Sequence, residues 1–114
     1  MYLIEKEGKR VFFGNDSAIY PNETFEYLKD MILDLVFLDC TYGFNSRGFD
    51  NSHMDFSENL KGRERFYTNG TADNHTVFVG THFAHVCNST HEELCEGMEK
   101  HEFLTSYDGM IFDI

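Results

Sequence analysis

The chain has 114 residues, with 9 lysines and arginines against 20 aspartates and glutamates and a formal net charge of −11. This length predicts a single domain over residues 1–114, and a hydrophobic content of 41% excludes an intrinsically disordered chain. The acidic balance makes binding to nucleic acid or to an anionic membrane surface unfavourable, because phosphate groups repel such a chain.

The first residues and the cysteines indicate an intracellular protein. The start of the chain lacks the basic-then-apolar layout of a signal peptide, and no apolar run approaches the ~20 residues of a membrane helix. Cys40, Cys87 and Cys95 are an odd number of thiols, which is typical of reduced cysteines rather than of a disulfide framework. We therefore expect a cytoplasmic protein without a membrane span.

Strands and helices alternate along the chain, which is typical of an α/β fold. The first half predicts two short strands joined by a turn, a helix capped by Asn22, and an apolar strand buried on both faces. The strands cover residues 2–5 and 11–13, the helix covers about 23–31, and the buried strand lies within 33–38 and ends at Asp39.

The second half predicts two more helices, a β-branched strand and a terminal hairpin. Thr90 and Glu93 form a capping box, which begins a helix over about 91–100. Asp108-Gly109 predicts a hairpin of strands 104–107 and 110–112. The other elements are a helix from near His53 to about Arg65, capped by Asn51 or Ser52, and a strand over 76–79 that ends at Gly80-Thr81-His82.

Three polar residues come directly after predicted strands. Asp16, Asp39 and His82 each lie just beyond the carboxyl end of one strand, and in α/β sheets this edge is where loops build binding sites. Carboxylate and imidazole groups together suit a divalent metal ion such as zinc or manganese. Each aspartate could instead cap the turn that follows it, but three such residues at one edge favour a metal site.

Other histidines and cysteines allow further interpretations. His53, at the predicted start of its helix, could bind an anion and donate a proton to a phosphoryl group, or it could cap the helix. His82, His85, Cys87 and Cys95 form a possible zinc module. That module is disfavoured because it lacks the second Cys-x-x-Cys arm that is typical of structural zinc sites.

Five short motifs follow one another along the chain. They are Asn15-Asp16-Ser17, Val36-Phe37-Leu38-Asp39-Cys40-Thr41, Ser52-His53-Met54-Asp55, Thr81-His82-Phe83-Ala84-His85 and Tyr107-Asp108-Gly109-Met110. Their order and spacing resemble the C-terminal half of metallo-β-lactamase-fold hydrolases over essentially the whole chain. The branch of phosphoribosyl 1,2-cyclic phosphate phosphodiesterases is the most similar, and the ribonuclease Z type is a more distant relative.

The resemblance implies half of an αββα sandwich, with a mixed sheet, helices on one face and two metal ions beside it in the complete fold. Asp16 matches the aspartate that bridges the two metal ions, and His82 matches the last histidine ligand. His53 matches a histidine that acts as general acid or contacts the phosphate. Asp39 and His85 match positions beside the site, from which they orient or support the ligands.

The family's His-x-His-x-Asp-His motif is absent from the chain. The resemblance therefore implies a C-terminal fragment of a metal-dependent phosphodiester hydrolase, with zinc or manganese as cofactor and a small phosphoester as substrate. Asp16 and His82 alone are fewer than the usual ligands of catalytic zinc, so we expect weak metal binding and little hydrolysis. The alternative is a non-catalytic remnant that forms homo-oligomers or binds a partner, such as a complementing N-terminal half, through an exposed sheet face.

Overall fold

Five strands form one mixed sheet in the computed structural model, which describes residues 1–114. The strands are β1 (Tyr2–Lys6), β2 (Lys9–Gly14), β3 (Leu35–Asp39), β4 (Val77–Thr81) and β5 (Phe103–Thr105). Their order in the sheet is their order in the chain. β1 pairs antiparallel with β2, whereas the other three pairings are parallel.

Three α-helices connect the parallel strands. They are α1 (Asn22–Leu28), α2 (Phe56–Thr68) and α3 (His91–Glu99). Crossovers between parallel strands are almost always right-handed, so successive crossovers in one direction place all three helices on the same face of the sheet. The expected layered α/β fold with a mixed sheet is confirmed. None of the helices is long and apolar enough to cross a bilayer.

The hydrophobic core lies between the sheet and the helices. Phe66 of α2 is fully buried, and its ring contacts Phe12 of β2, Phe25 of α1 and Phe78 of β4 at centroid distances of 5.6, 5.1 and 6.0 Å, respectively. Tilted and edge-on ring contacts of this kind add to the free energy of apolar burial. The helices are thereby packed on the sheet, and the loops at its carboxyl edge begin from rigid ends.

The opposite face of the sheet carries Phe13 of β2 and Phe37 of β3, whose ring centroids are 5.2 Å apart. The C-terminal segment crosses this face, and the Phe112 ring meets Phe37 edge-on at 5.3 Å. The segment therefore covers part of the face that the helices leave open.

The predicted C-terminal hairpin is wrong in its second strand. The turn itself forms, since the Met110 N–H donates to the Tyr107 carbonyl at 3.0 Å. Residues 110–114 form no strand, however, and β5 pairs only with β4. Packing of Phe112 on the sheet takes the place of strand pairing, because it buries an aromatic ring that a solvent-exposed hairpin would leave in water.

The helix that was expected to begin near His53 begins instead at Phe56. Its N-cap is Asp55, whose carboxylate accepts a hydrogen bond from the Glu58 N–H at 2.9 Å, so neither Asn51 nor Ser52 caps it. His53 lies in the preceding loop, and the expected anion site at the helix N-terminus is therefore absent at this residue.

The other two helices differ in how well their ends follow the prediction. The expected cap of α1 by Asn22 is wrong: Asn22 is its first helical residue, and Pro21 precedes it without a side-chain cap. α1 ends at Leu28 rather than near Met31, because Lys29 leaves the helical region with ψ of 131° and Asp30 is left-handed with φ of 64°. The capping box of α3 is confirmed: the Glu93 N–H donates to the Thr90 hydroxyl at 3.2 Å, and the Thr90 N–H donates to the Glu93 carboxylate at 3.1 Å.

Candidate metal centre

Four ionisable side chains converge at the carboxyl edge of the parallel strands. Asp16 follows β2, Asp39 ends β3, His82 follows β4, and His53 lies in the loop between β3 and α2. One candidate ligand atom from each residue lies within 4.8 Å of the others. The three residues expected at this edge are thus brought together, His53 joins them, and the group could hold a metal ion.

Asp39 is the fully buried centre of this group. Its carboxylate accepts five hydrogen bonds, from the N–H and hydroxyl of Thr41, the N–H groups of Met54 and Ser17, and His53 Nδ1, at distances of 2.8–3.2 Å. The donors come from two loops: Ser17 lies between β2 and α1, and Thr41, His53 and Met54 lie between β3 and α2. These bonds hold the Asp39 carboxylate in a fixed position between the two loops.

The hydrogen bonds also determine which nitrogen of each histidine carries a proton. The Thr41 hydroxyl donates to Asp39 Oδ1 at 2.8 Å, so its oxygen accepts from His82 Nδ1 at 3.0 Å. His53 Nδ1 donates to Asp39 Oδ2 at 2.9 Å. Neither Nε2 takes part in a hydrogen bond, so each ring keeps this nitrogen for a metal ion or a proton.

The two imidazole rings are stacked, with centroids 5.4 Å apart and planes inclined by 22°. Asp16 Oδ1 lies 3.8 Å from His82 Nε2 and 3.7 Å from His53 Nδ1. Asp16 is the solvent-facing member, with 69% of its side chain exposed. The group therefore has an open side through which an ion or a substrate can enter.

Asp16 and His82 both adopt left-handed backbone conformations, with φ of 52° and 65°. This region is uncommon for residues other than glycine, although aspartate and histidine are among the types that enter it. Such conformations cost roughly 1–3 kcal/mol and persist only where the surrounding structure holds them. Two of them occur within this group of four residues.

The donor set and its spacing fit a divalent metal ion. Ligand atoms around a tetrahedral zinc ion are about 3.4 Å apart, given bond lengths of roughly 2.0–2.2 Å. The Asp16–His82 separation of 3.8 Å is close to this spacing, and small side-chain rotations would close the difference. One carboxylate with imidazoles is a donor set that zinc and manganese both accept.

The electrostatics of His53 favour its protonated form. The hydrogen bond with Asp39 raises the pKa of His53 above its ordinary value of 6.5, and the negative charges of Asp39, Asp50 and Asp16 act in the same direction against partial burial. His53 is therefore suited to hold a proton.

The loop that carries His53 is stabilised by Asp50. Its carboxylate accepts hydrogen bonds from the Ser52 N–H and hydroxyl at 2.7 and 2.6 Å and from the Tyr42 hydroxyl. These bonds lower the pKa of Asp50 well below its ordinary value. A fixed loop keeps the His53 ring against Asp39.

Sequence reasoning missed three of the residues that build the centre. Thr41 and Asp50 each belong to an Asp-x-Thr or Asp-x-Ser pattern, in which the aspartate accepts from the N–H two residues on, and this pattern was readable. Asn59 is fully buried and donates to the Asp39 and Asp55 carbonyls at 2.7 and 3.0 Å. No local pattern marks Asn59, because its partners come from the end of β3 and the start of α2.

His85 lies outside the centre. It is exposed on a short 3-10 helix (His85–Cys87) and forms no hydrogen bond with the four residues of the centre. Its expected supporting role stays a prediction. The zinc module of His82, His85, Cys87 and Cys95 does not assemble either: these side chains form no close group, since Cys87 is buried and Cys95 instead contacts His91.

Comparisons with protein-family models, with curated proteins and with solved structures returned no match. The resemblance to metallo-β-lactamase-fold hydrolases therefore depends on the sequence motifs. Independently of that resemblance, the geometry of Asp16, Asp39, His53 and His82 is that of a candidate divalent-metal centre.

Proposed function

We propose that this chain is the C-terminal half of a metal-dependent phosphodiester hydrolase of the metallo-β-lactamase fold. The observation that carries the proposal is the convergence of Asp16, His53 and His82 around the buried Asp39. These are the residues to which the family resemblance assigns the metal and acid roles. The cofactor is zinc or manganese, and the ligands that this chain lacks come, in this proposal, from a complementing N-terminal half.

Asp16 and His82 are the proposed metal ligands. The carboxylate of Asp16 faces solvent and is free to bridge two ions, and His82 offers Nε2 because Thr41 occupies Nδ1. The chemistry that the ions supply when bound is stabilisation of the phosphate charge and activation of a water molecule for in-line attack. Asp39 maintains the ring orientations through its bonds with Thr41 and His53.

His53 is the proposed proton donor to the departing alkoxide. A metal ligand must be a neutral imidazole, whereas the hydrogen bond with Asp39 raises the pKa of His53 and favours its protonated form. The proton on Nε2 is the one available to a leaving group, since Nδ1–H is bound to Asp39. This assignment gives the two stacked histidines different tasks.

The charge of the chain supports a small substrate. A net charge of −11 repels an extended phosphate backbone, whereas a single phosphoester can be neutralised by the metal ions. The open side of the centre beside Asp16 also admits a small molecule.

The proposal is tested by zinc binding and by hydrolysis of bis(p-nitrophenyl) phosphate. We expect Asp16→Ala and His82→Ala to weaken zinc binding by at least about tenfold, and His53→Ala to retain zinc. His75→Ala is the matched control, because His75 is an exposed histidine outside the centre. Zinc affinity unchanged in Asp16→Ala, or turnover that is independent of both Asp16 and His53, would contradict the proposal.

A second candidate function is association through the sheet face opposite the helices. Register places Tyr2, Ile4, Val77 and Leu104 on this face together with Phe37. Tyr2 and Ile4 are 70% and 53% exposed, which leaves an apolar surface next to the C-terminal segment. This function needs no metal ion.

The two candidates respond to different substitutions. If the chain is an association module, Ile4→Asp shifts the mass measured by light scattering towards the monomer, while Asp16→Ala leaves the mass unchanged. If the chain is part of a hydrolase, Asp16→Ala weakens zinc binding at the centre and Ile4→Asp leaves it intact.

A further inference from the structure

Helix α3 carries a histidine and a cysteine that the centre described above does not use. His91 and Cys95 are four residues apart and therefore lie on one face of the helix. Cys95 Sγ is 3.3 Å from His91 Nε2. His91 is exposed and Cys95 is half-buried, so solvent and small ions reach both side chains.

The spacing of these two atoms matches a metal chelate. Zinc bonds to sulfur at about 2.3 Å and to an imidazole nitrogen at about 2.0 Å, so a tetrahedral ion holds the two donors about 3.5 Å apart. The pair is already within a few tenths of an ångström of that distance. A thiolate with an imidazole is also a donor set that selects soft and borderline cations over magnesium or calcium.

The surroundings of the pair hold it in place and favour a cation. The capping box at Thr90 and Glu93 keeps the first turn of α3 formed, so that the spacing of the pair is preserved. The Tyr107 ring packs edge-on against the His91 ring at 5.8 Å. The same helix carries four glutamates and no lysine or arginine, which lowers the electrostatic cost of a bound cation.

Cys95 is the thiol best placed to react among the three in the chain. Cys40 and Cys87 are buried, and burial raises the pKa of the Cys40 thiol. Neither has a histidine partner within hydrogen-bonding distance, since Cys87 Sγ has only the Ser89 carbonyl near it. A cation that requires a thiolate will therefore bind at α3.

We propose that His91 and Cys95 form a bidentate site for a soft divalent cation of the zinc class. The cation takes the place of the thiol proton, which is released to solvent, and water occupies the remaining coordination positions. The site shares no residue with the Asp16 centre. It therefore does not depend on the proposed hydrolase function.

The test uses Cd²⁺ as a probe, because cadmium thiolates have an ultraviolet charge-transfer band that carboxylate and imidazole sites lack. The metal-free chain is titrated with Cd²⁺ beside Cys95→Ser, His91→Ala, Cys87→Ser and Asp16→Ala. We expect the band in the unmodified chain, in Cys87→Ser and in Asp16→Ala. We expect no band in Cys95→Ser, and binding weakened by more than about tenfold in His91→Ala.

A second measurement needs no substitution. Zn²⁺ should slow the alkylation of Cys95 in the folded chain, as located by peptide mass analysis. A band that persists in Cys95→Ser, cadmium affinity that is unchanged in His91→Ala, or alkylation of Cys95 at the same rate with and without zinc would overturn the proposal. Failure of the hydrolase proposal has a different sign: zinc would bind the centre equally well in the unmodified chain and in Asp16→Ala.

Discussion

The chain has two regions rich in histidine, and they are built in different ways. At the carboxyl edge of the sheet, Asp16, His53 and His82 come from separate loops. Asp39 hydrogen-bonds directly to the loops of Asp16 and His53, and Thr41 connects it to His82. On α3, His91 and Cys95 meet because they are four residues apart on one helix. The first site therefore depends on the tertiary fold, whereas the second needs little more than a formed helix.

The largest expected effect is that of removing the Asp39 carboxylate, on which the site at the sheet edge depends and the site on α3 does not. Asp39→Ala removes the acceptor of five hydrogen bonds and leaves buried donors without partners. We expect a loss of about 3–5 kcal/mol in the free energy of unfolding and loss of zinc binding at the centre, measured by urea denaturation and equilibrium dialysis. Asp73→Ala, which removes the acceptor of one N–H in an exposed turn, is the control. If Asp39→Ala were as stable as Asp73→Ala, the hydrogen bonds of Asp39 would not hold the loops around the centre in place.

The next largest effect concerns Gly14, the last residue of β2, which packs against Tyr20 just before the Asp16 loop. A Cβ on Gly14 would overlap the hydroxyl of Tyr20, which donates to the Gly14 carbonyl. Gly14→Ala should therefore destabilise the fold by about 1–3 kcal/mol and weaken zinc binding, since it displaces the start of the loop. Gly62→Ala is the matched control: only Leu38 lies near, at 3.9 Å, and a helical alanine should stabilise by about 0.5–1 kcal/mol. Thermal unfolding should show a lower midpoint temperature for Gly14→Ala and a higher one for Gly62→Ala than for the unmodified chain.

A smaller effect tests the connection between Asp39 and His82. Thr41→Val removes the hydroxyl that donates to Asp39 and accepts from His82 Nδ1. We expect zinc affinity to fall by about 10–100-fold and stability to fall by about 1–2 kcal/mol, whereas cadmium binding at α3 stays unchanged. Thr41→Ser should restore most of the zinc affinity because it restores the hydroxyl. Equal zinc affinity in Thr41→Val and the unmodified chain would argue against a role for this contact.

The smallest expected effect is a pH dependence in the loop that carries His53. Hydrogen bonds from Ser52 and Tyr42 lower the pKa of Asp50 below its ordinary value of 3.8, so the folded state favours the ionised form. The resulting stability is present above that ordinary value and is lost as the pH falls towards the lower pKa of the folded state. We therefore expect the difference in the free energy of unfolding between the unmodified chain and Asp50→Asn to shrink from pH about 7 to about 3, as measured by urea unfolding. A constant difference between the two chains across this range would contradict the assignment.

Local sequence patterns were sufficient for most of the secondary structure. A continuous apolar run, short β-branched and aromatic runs and the Thr90–Glu93 capping box predicted the strands and α3, because these signals act within a few residues. The start of α2 was placed too early, although Asp55 and Glu58 have the same spacing as the capping box at α3. The second strand of the C-terminal hairpin does not form, and Phe112 instead packs edge-on against Phe37 of the sheet.

Local sequence patterns place Asp16, Asp39 and His82 at the ends of strands, and the spacing of His91 and Cys95 places them on one face of a helix. The tertiary structure alone decided that Asp39 is saturated by hydrogen bonds, that Thr41 connects it to His82, and that His53 joins the centre from a loop. The physical reason is separation along the chain. The bonds Asp39–His53, Ser17–Asp39 and Thr41–His82 span 14, 22 and 41 residues, distances over which only packing of the helices on the sheet brings donors and acceptors together.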